Sequence, residues 1–524
     1  MFIRSKKSGS RRYLQLVDNR WEDGAVRQRV IATLGRLDQL QAHGHIDAIL
    51  KSLARFADRA RVVQDAASGR LEARSVQRIG PALVLQRLWE HTAMQDVLED
   101  LLRDRRFEFP VERAVFTSVL HRLFSPGSDR QADRWRADYQ IPGADELQLH
   151  HLYRAMRWLG SVREQVEQRL FAHRRDLFTA ADLVFFDTTS IYFEGAGGQS
   201  LGQYGHSKDH RPDRPQMIVG AVVDSAGMPL CAPMWPGNRT DVTTLLPVVD
   251  DLRTRFGIER VSIVADRGMI SAKTIEALEA HDPAIGYILG ARLRNSKEVR
   301  DEVLGRAGRY ATVAGNLQVK QVRVGDRRYV LCLNPEEAER DAAARAAMVE
   351  ALEDKLHQGA GELIGNRGYK RFLRVRRGAV ELDRDKIRQD ARYDGKFVLR
   401  TNLALATDEV ALRYKELWQV ERIFRDAKSL LETRPVFHHW DATICGHVFV
   451  SFLALVLLRE LQARQQALGL AAEWADVRRD LDALEEVEVM DDGRRYWLRT
   501  PLKAGATAAF RAAGVAIPPS VREG

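Results

Sequence analysis

Apolar and polar positions alternate in three short runs at the start of the chain, Phe2 to Lys6, Tyr13 to Val17 and Val26 to Ala32, which are divided by a basic Ser-Gly-Ser turn and by Glu22-Asp23-Gly24. Alternation with period two and turn residues between the runs predict a β-meander over 1–36. From 37 to 177 the apolar spacing lengthens to that of helices, as in Ala82, Leu83, Leu85, Leu88, Trp89 and Met94, with Arg and Lys on the other faces. A helical region with faces suited to DNA is expected there. The pattern changes again at Leu183-Val184-Phe185-Phe186, a buried strand, followed by strands at Met217–Val223 and Pro229–Trp235 with no helix between them. A helix over Val242–Phe256, a strand at Val261–Ala265, a helix at Ser271–His281 and a strand at Ile285–Leu289 complete the segment 178–290. Three strands and then α, β, α, β is the element order of a ribonuclease-H-like core, an analogy of fold alone.

Strand signals dominate 291–404. Gln318–Val324 turns at Gly325-Asp326 into Arg328–Leu333, one helix is expected near Pro335–His357, and Lys396–Arg400 follows Asp394-Gly395. This segment is predicted to be a β-rich insertion. Helices at Asp408–Leu431 and Gly446–Ala467 then return the chain to the core over 405–467. The last part, 468–524, is mixed and includes a hairpin from Glu486–Met490 through Asp492-Gly493 to Tyr496–Arg499. The expected class is a multi-domain α/β protein with all-α parts.

Composition adds a partner. Lys and Arg total 81 against 72 acidic residues, a net charge of +9 that suits a polyanion such as nucleic acid. The 524 residues exceed what one core holds, and 45% hydrophobic with 29% charged residues is ordinary for a folded globular chain. Cys231, Cys332 and Cys445 lie far apart, as buried thiols in a reducing cytosol do. Met1–Arg12 is basic and lacks the apolar stretch of a signal peptide, and the longest apolar run, Val448–Leu458, is shorter than the roughly 20 residues that span a bilayer. A cytoplasmic protein with no membrane partner is expected.

Candidate chemistry sits at strand ends. Asp187 closes an apolar strand in Phe-Phe-Asp187-Thr188-Thr189-Ser190, and Asp266 repeats the arrangement in Val264-Ala265-Asp266-Arg267-Gly268. A third carboxylate, Glu421, lies seven residues from Tyr414 and seven from Lys428, nearly two helical turns each way, with Arg425 one turn beyond it. Phosphodiester cleavage and strand transfer call for two hard cations about 3.5–4 Å apart, and carboxylates are their natural ligands. Lys208, Arg211 and Arg214, in the loop Gly205–Gln216, are candidate phosphate contacts beside them. His206 and His210 have a spacing of four, but Pro212 and Pro215 exclude a helix that would point both at one metal.

Tyr414, Glu421 and Lys428 resemble the helix signature Tyr, two residues, Arg, three residues, Glu, six residues, Lys of bacterial insertion-sequence transposases with a DDE triad and a ribonuclease-H-like core. Leu417 stands where that signature has arginine, with Arg413 or Arg425 as substitutes. The loops Gly205–Gln216 and Pro236–Asp241 are similar to the family as well. The resemblance implies a catalytic triad Asp187, Asp266 and Glu421 holding two Mg2+ or Mn2+ ions, with Tyr414, Arg425 and Lys428 facing DNA. It also implies binding of element ends and target DNA, action as a homodimer on DNA, and a nucleoid-associated place in a bacterial cytoplasm. In relatives that form a DNA hairpin a tryptophan in the insertion holds a flipped base; here no Trp lies between Trp235 and Trp418. Two rival readings remain: a catalytically silent DNA-binding descendant of such a transposase, and a phosphotransferase with Asp187 as nucleophile.

Overall fold

The structure is a computed structural model and describes residues 1–22, 25–54, 71–174, 183–258, 261–269, 271–281, 284–358, 369–376, 379–491 and 494–524. The expected turns at Asp23-Gly24 and Asp492-Gly493 lie outside the described residues. The chain forms two compact units, one of Met1–Arg78, Ala483–Leu502 and Ile517–Gly524, the other of Ile79–Asp482 and Lys503–Ala516.

In the first unit β1 (Phe2–Ser8), β2 (Arg11–Glu22) and β3 (Ala25–Arg36) make an antiparallel meander, followed by α1 (Leu37–Ala42) and α2 (His45–Ala54). The residues after them correct an expectation. Leu71–Arg78, placed in an all-helical region by the sequence reading, is a strand, β4, paired antiparallel with Glu485–Asp491. Its partner lies some four hundred residues away, and local periodicity carries no record of such a pairing. Arg494–Arg499 and Val521–Glu523 complete that four-stranded sheet.

The second unit opens with helices α3 (Gly80–His91), α4 (Met94–Leu102), α5 (Val111–Phe124), α6 (Asp129–Trp135) and α7 (Leu149–Arg174). Ser128 caps α6 in a reciprocal pair with Gln131. Then come β5 (Leu183–Tyr192), β6 (Gln216–Asp224), β7 (Pro229–Cys231) and β8 (Met234–Pro236). The single strand expected over Pro229–Trp235 is divided because Pro233 offers no N–H, although its carbonyl still accepts from Gly220 N at 2.8 Å. Next are α8 (Leu245–Thr254), β9 (Ser262–Ala265), α9 (Ala272–Ala280) and β10 (Gly286–Gly290). β9 runs parallel to both β5 and β10, while β6 is antiparallel to β5.

The segment 291–404 does not stand apart as a separate insertion. β11 (Ala311–Ala314), β12 (Leu317–Val324) and β13 (Arg327–Leu333) join the same sheet through β16 (Lys396–Thr401), in the order β11-β12-β13-β16-β10-β9-β5-β6-β7. β16 pairs antiparallel with β10, closing an edge that would otherwise present unpaired N–H and C=O groups. Outside the sheet lie α10 (Pro335–Gln358), the hairpin of β14 (Leu373–Arg376) and β15 (Ala379–Leu382), and α11 (Arg384–Ala391), around a small core of Leu352 and Phe372.

Alternation along the sheet divides its residues between two faces. Val184 and Phe186 of β5, Ile218 and Val222 of β6, Ile263 and Ala265 of β9 and Leu289 of β10 pack under α8 and α9. Ile191, Met217 and Val219 point the other way, against Val436 and against Ile444 and Val448 of α14 (Asp441–Ala467). Before α14 come α12 (Thr407–Lys415) and α13 (Trp418–Arg425), and after it α15 (Trp474–Asp482) and α16 (Ala504–Ala513). By length and composition α14 is the one helix among the described residues able to cross a membrane, and most of it is buried inside this unit.

The helix expected over Asp408–Leu431 is not uniform. Leu417 N bonds to Tyr414 O and Val420 N to Leu417 O, three-residue bonds that tighten the path between α12 and α13, and a π-helical turn widens it over Asp426–Leu430. The two seven-residue steps around Glu421 therefore do not correspond to two regular α-helical turns each.

Candidate active site

Register places the first two carboxylates. Phe186 of β5 is paired with Ala265 of β9, and Ala265 with Leu289 of β10, so Asp187, Asp266 and Gly290 are the next residues on three adjoining strands. Phe186, Ala265 and Leu289 point under α8 and α9. Asp187, Asp266 and Gly290 accordingly address the opposite face. There the Tyr414 hydroxyl, from α12, donates to Asp266 Oδ1 at 3.1 Å, and its ring stacks on Phe397. Burial, with Asp266 and Asp187 nearby, pushes the phenol's pKa far up, so it stays a donor. Gly290 makes the approach possible: a Cβ there would stand 2.5 Å from the Tyr414 hydroxyl and 3.0 Å from Arg267 N.

Asp187 accepts a hydrogen bond from Thr188 N at 2.7 Å. Burial is the main cause that pushes its pKa up to about 6; Asp266 and Asp241 add to the rise, while Lys208 and the Thr188 N–H oppose it. Asp241 belongs to the loop Pro236–Asp241, and it accepts from Thr188 Oγ1 at 2.7 Å and pairs with Lys208 at 3.1 Å. The Lys208 ammonium also donates to Thr188 O at 2.8 Å and lies 2.9 Å from Thr188 Oγ1. Three acceptors use all three of its donors. Lys208 thus ties two loops to the end of β5.

The other sequence candidates fall into two groups. Lys428 pairs with the buried Asp209 at 2.7 Å, joined there by Arg434, and burial lowers the Lys428 pKa in spite of that partner. Arg211 is held by Asp213 at 2.9 Å and lies over the Tyr192 ring, and Arg214 pairs with Glu194 at 3.0 Å. Arg413, one proposed substitute for the missing signature arginine, pairs with Glu416 at 3.4 Å. Glu421 and Arg425 are different. Both are exposed on α13, with no ion pair or side-chain hydrogen bond to a described residue, while Val420 and Ile423 of the same helix are buried and the helix packs against β5 and β6.

Among the described residues no three His, Cys, Asp or Glu side chains form a metal-sized group. The structure brings Asp187 to Asp266, adds Asp241 beside them, and leaves Glu421 on the solvent side of α13. Asp241, Thr188 and Gly290 were not singled out from the sequence. For Asp241 a faint signal exists, a carboxylate closing a Pro-Gly-Asn-Arg-Thr loop; for Gly290 there is none, since only its neighbours in space require it.

Comparison with known families decides what this geometry belongs to. The transposase DDE domain matches residues 179–435, a span that contains Asp187, Asp266 and Glu421, and the N-terminal domain of the IS1634 family transposases matches residues 2–67. The chain belongs to the insertion-sequence DDE transposases. Domains of this kind use divalent metal ions, and DNA is the partner of such a transposase. No curated protein matches the chain. Among solved structures, the piggyBac transposase in a synaptic complex with hairpin DNA is similar at 10% identity, over 77% of this chain and 79% of that one, with a TM-score of 0.38.

Proposed function

We propose that this transposase binds the ends of its element, cleaves DNA phosphodiester bonds there and joins the freed ends to target DNA, with Asp187, Asp266 and Glu421 as the carboxylates that hold two Mg2+ ions or, in their place, Mn2+. The strand order β7-β6-β5-β9-β10, with β5, β9 and β10 parallel and β6 reversed, supports a ribonuclease-H-like reading of the core. The observation that carries the assignment is Asp187 and Asp266 at adjoining positions on parallel strands, with Asp187 pushed up to about 6 by burial and by neighbouring carboxylates. Negative charge there exceeds what Lys208 offsets, and hard divalent cations take carboxylate oxygens. The donor set fits.

Bound cations would supply activation of the attacking oxygen and stabilisation of the leaving one. The chain's own residues do the rest. Tyr414 fixes the orientation of Asp266, and Gly290 leaves room for it. Lys208 and Asp241 hold the Thr188 end of β5 in place, and the exposed Arg425 is free to meet a phosphate. Glu421, without a partner among the described residues, is available to join the other two carboxylates when DNA and cations arrive. Two element ends held together call for two copies of the chain, so a homodimer on DNA is part of the proposal.

The test combines a binding and a cleavage readout. Because the folded pKa of Asp187 is raised from 3.8 to about 6, its contribution to stability is full below the unfolded value and lost as pH rises through about 6. A cation that takes the ionised carboxylate restores that loss. Mg2+ is therefore expected to raise the thermal midpoint more at pH 7.5 than at pH 5, and Asp187→Asn to abolish the difference; an Mg2+ response identical at both pH values would overturn the assignment. Lys208→Met removes the cation that opposes the rise at Asp187. The acidic limb of the pH profile for nicking should then move to higher pH, and an unmoved limb would refute the role given to Lys208.

A further inference from the structure

Net charge is distributed very unevenly along this chain. Residues 1–36 carry nine Lys and Arg against three acidic residues, a net +6 out of the +9 of all 524. They fold into β1, β2 and β3, where Lys7 is paired directly with Arg12 and Arg20 directly with Arg27. Lys6, Lys7, Arg11 and Arg12, on either side of the β1–β2 turn, form no ion pair with a described residue.

The two faces of this meander differ. On one, Leu14 stands opposite Gly35, and a Cβ on Gly35 would stand 3.4 Å from Leu40 of α1, so the helix lies against this face. The other face carries polar cross-strand rows, Arg4 opposite Gln15 and Thr33, Lys6 opposite Tyr13, and Asn19 opposite Gln28, with the apolar row of Phe2, Val17 and Val30 between the last of these and the others, Val17 being buried, and Trp21 opposite Val26 beyond them. Gln15 donates to Thr33 Oγ1 at 3.3 Å, and Arg4 donates to Gln28. Lys6, Asn19, Gln28 and Thr33 are exposed.

We infer that this open face of the β1–β2–β3 sheet is a docking surface for double-stranded DNA, laid against the major groove, with the amides reading base edges and the cations at the turn holding phosphates. Asn and Gln recognise adenine and Arg or Lys recognises guanine through paired hydrogen bonds. Three strands about 4.8 Å apart make a face about 10 Å across, close to the roughly 12 Å width of the groove. The inference rests on DNA as the partner of the transposase but places the contact on the sheet, where the sequence reading had expected basic helices.

The full-length chain is used to select duplexes from a random-sequence pool, and the affinity of each variant for selected and for random duplex is measured by fluorescence anisotropy at several salt concentrations. Asn19→Ala with Gln28→Ala is expected to lower the preference for selected over random duplex by about tenfold or more, with the salt slope unchanged. Lys6→Gln with Arg11→Gln should weaken both duplexes alike and reduce the salt slope by about two. If both double variants keep the far-ultraviolet dichroism of the wild type and bind both duplexes as it does, the sheet is not the docking surface. A wild-type chain that binds no duplex, or prefers single-stranded RNA, would overturn the DNA reading itself, a result distinct from indifferent variants of a DNA-binding parent.

Discussion

Asp187→Asn, Asp266→Asn and Glu421→Gln should each reduce cation-dependent nicking of an element-end duplex by on the order of 10³-fold or more, while leaving DNA affinity close to that of the parent. Each replacement keeps the shape of the side chain and removes its charge. Because the three carboxylates act as one ligand set, the double variants should be scarcely slower than the single ones. The structure separates the three in a second way. Asp187 is buried and crowded by Asp266 and Asp241, and its folded pKa of about 6, raised chiefly by burial, means that ionisation at neutral pH works against the fold. Asp187→Asn should therefore raise the thermal midpoint of the cation-free protein at pH 7.5. Glu421 is exposed and unpaired, so Glu421→Gln should leave that midpoint unchanged. Melting curves and a gel assay for nicked product read both effects. A Glu421→Gln protein that cuts at the parental rate would remove that residue from the site, and an Asp187→Asn protein less stable than its parent would contradict the crowding.

Much of this site was legible in the sequence because strand chemistry is local. A run such as Leu-Val-Phe-Phe ending in Asp187 identifies both a buried strand and the carboxylate at its end, and Ile-Val-Ala-Asp266 does the same. What escaped depends on pairing between distant segments. The β1–β3 meander was legible, whereas β4 was not, since its partner Glu485–Asp491 is remote in sequence. β12, β13 and β16 were recognised as strands, but not as a continuation of the core sheet, because the antiparallel pairing of β16 with β10 leaves no trace in either segment alone. The spacing of Tyr414, Glu421 and Lys428 led to one common helix face. Tight bonds before α13 and a π-helical turn after it intervene, and Tyr414 meets Asp266 while Lys428 meets Asp209.

Gly446 illustrates the same limit, and its replacement should have the largest effect on stability. An isolated glycine inside α14 reads as a modest cost to the helix, about 1 kcal/mol relative to alanine. By that reasoning Gly446→Ala would stabilise. The packing reverses the sign: a Cβ on Gly446 would run into the backbone carbonyl of Met156 in α7, and one on Gly160 of α7 into the carbonyl of Ala442 in α14. The two helices cross backbone to backbone at these glycines. A carbonyl inside a hydrogen-bonded helix cannot turn aside as a side-chain tip can, so the helices must separate at this crossing. Gly446→Leu should cost roughly 3 kcal/mol or more, and Gly446→Ala should also destabilise. The exposed Gln466→Ala on the same helix should stay within about 0.5 kcal/mol of the parent. Activity should fall together with stability, because Ile444 and Val448 of α14 pack on Met217 and Val219 of β6 and on Ile191 of β5, the strand that delivers Asp187. A Gly446→Ala protein that melts at or above the parental temperature would show that the crossing has room to yield, and that helix propensity rather than close approach decides this position.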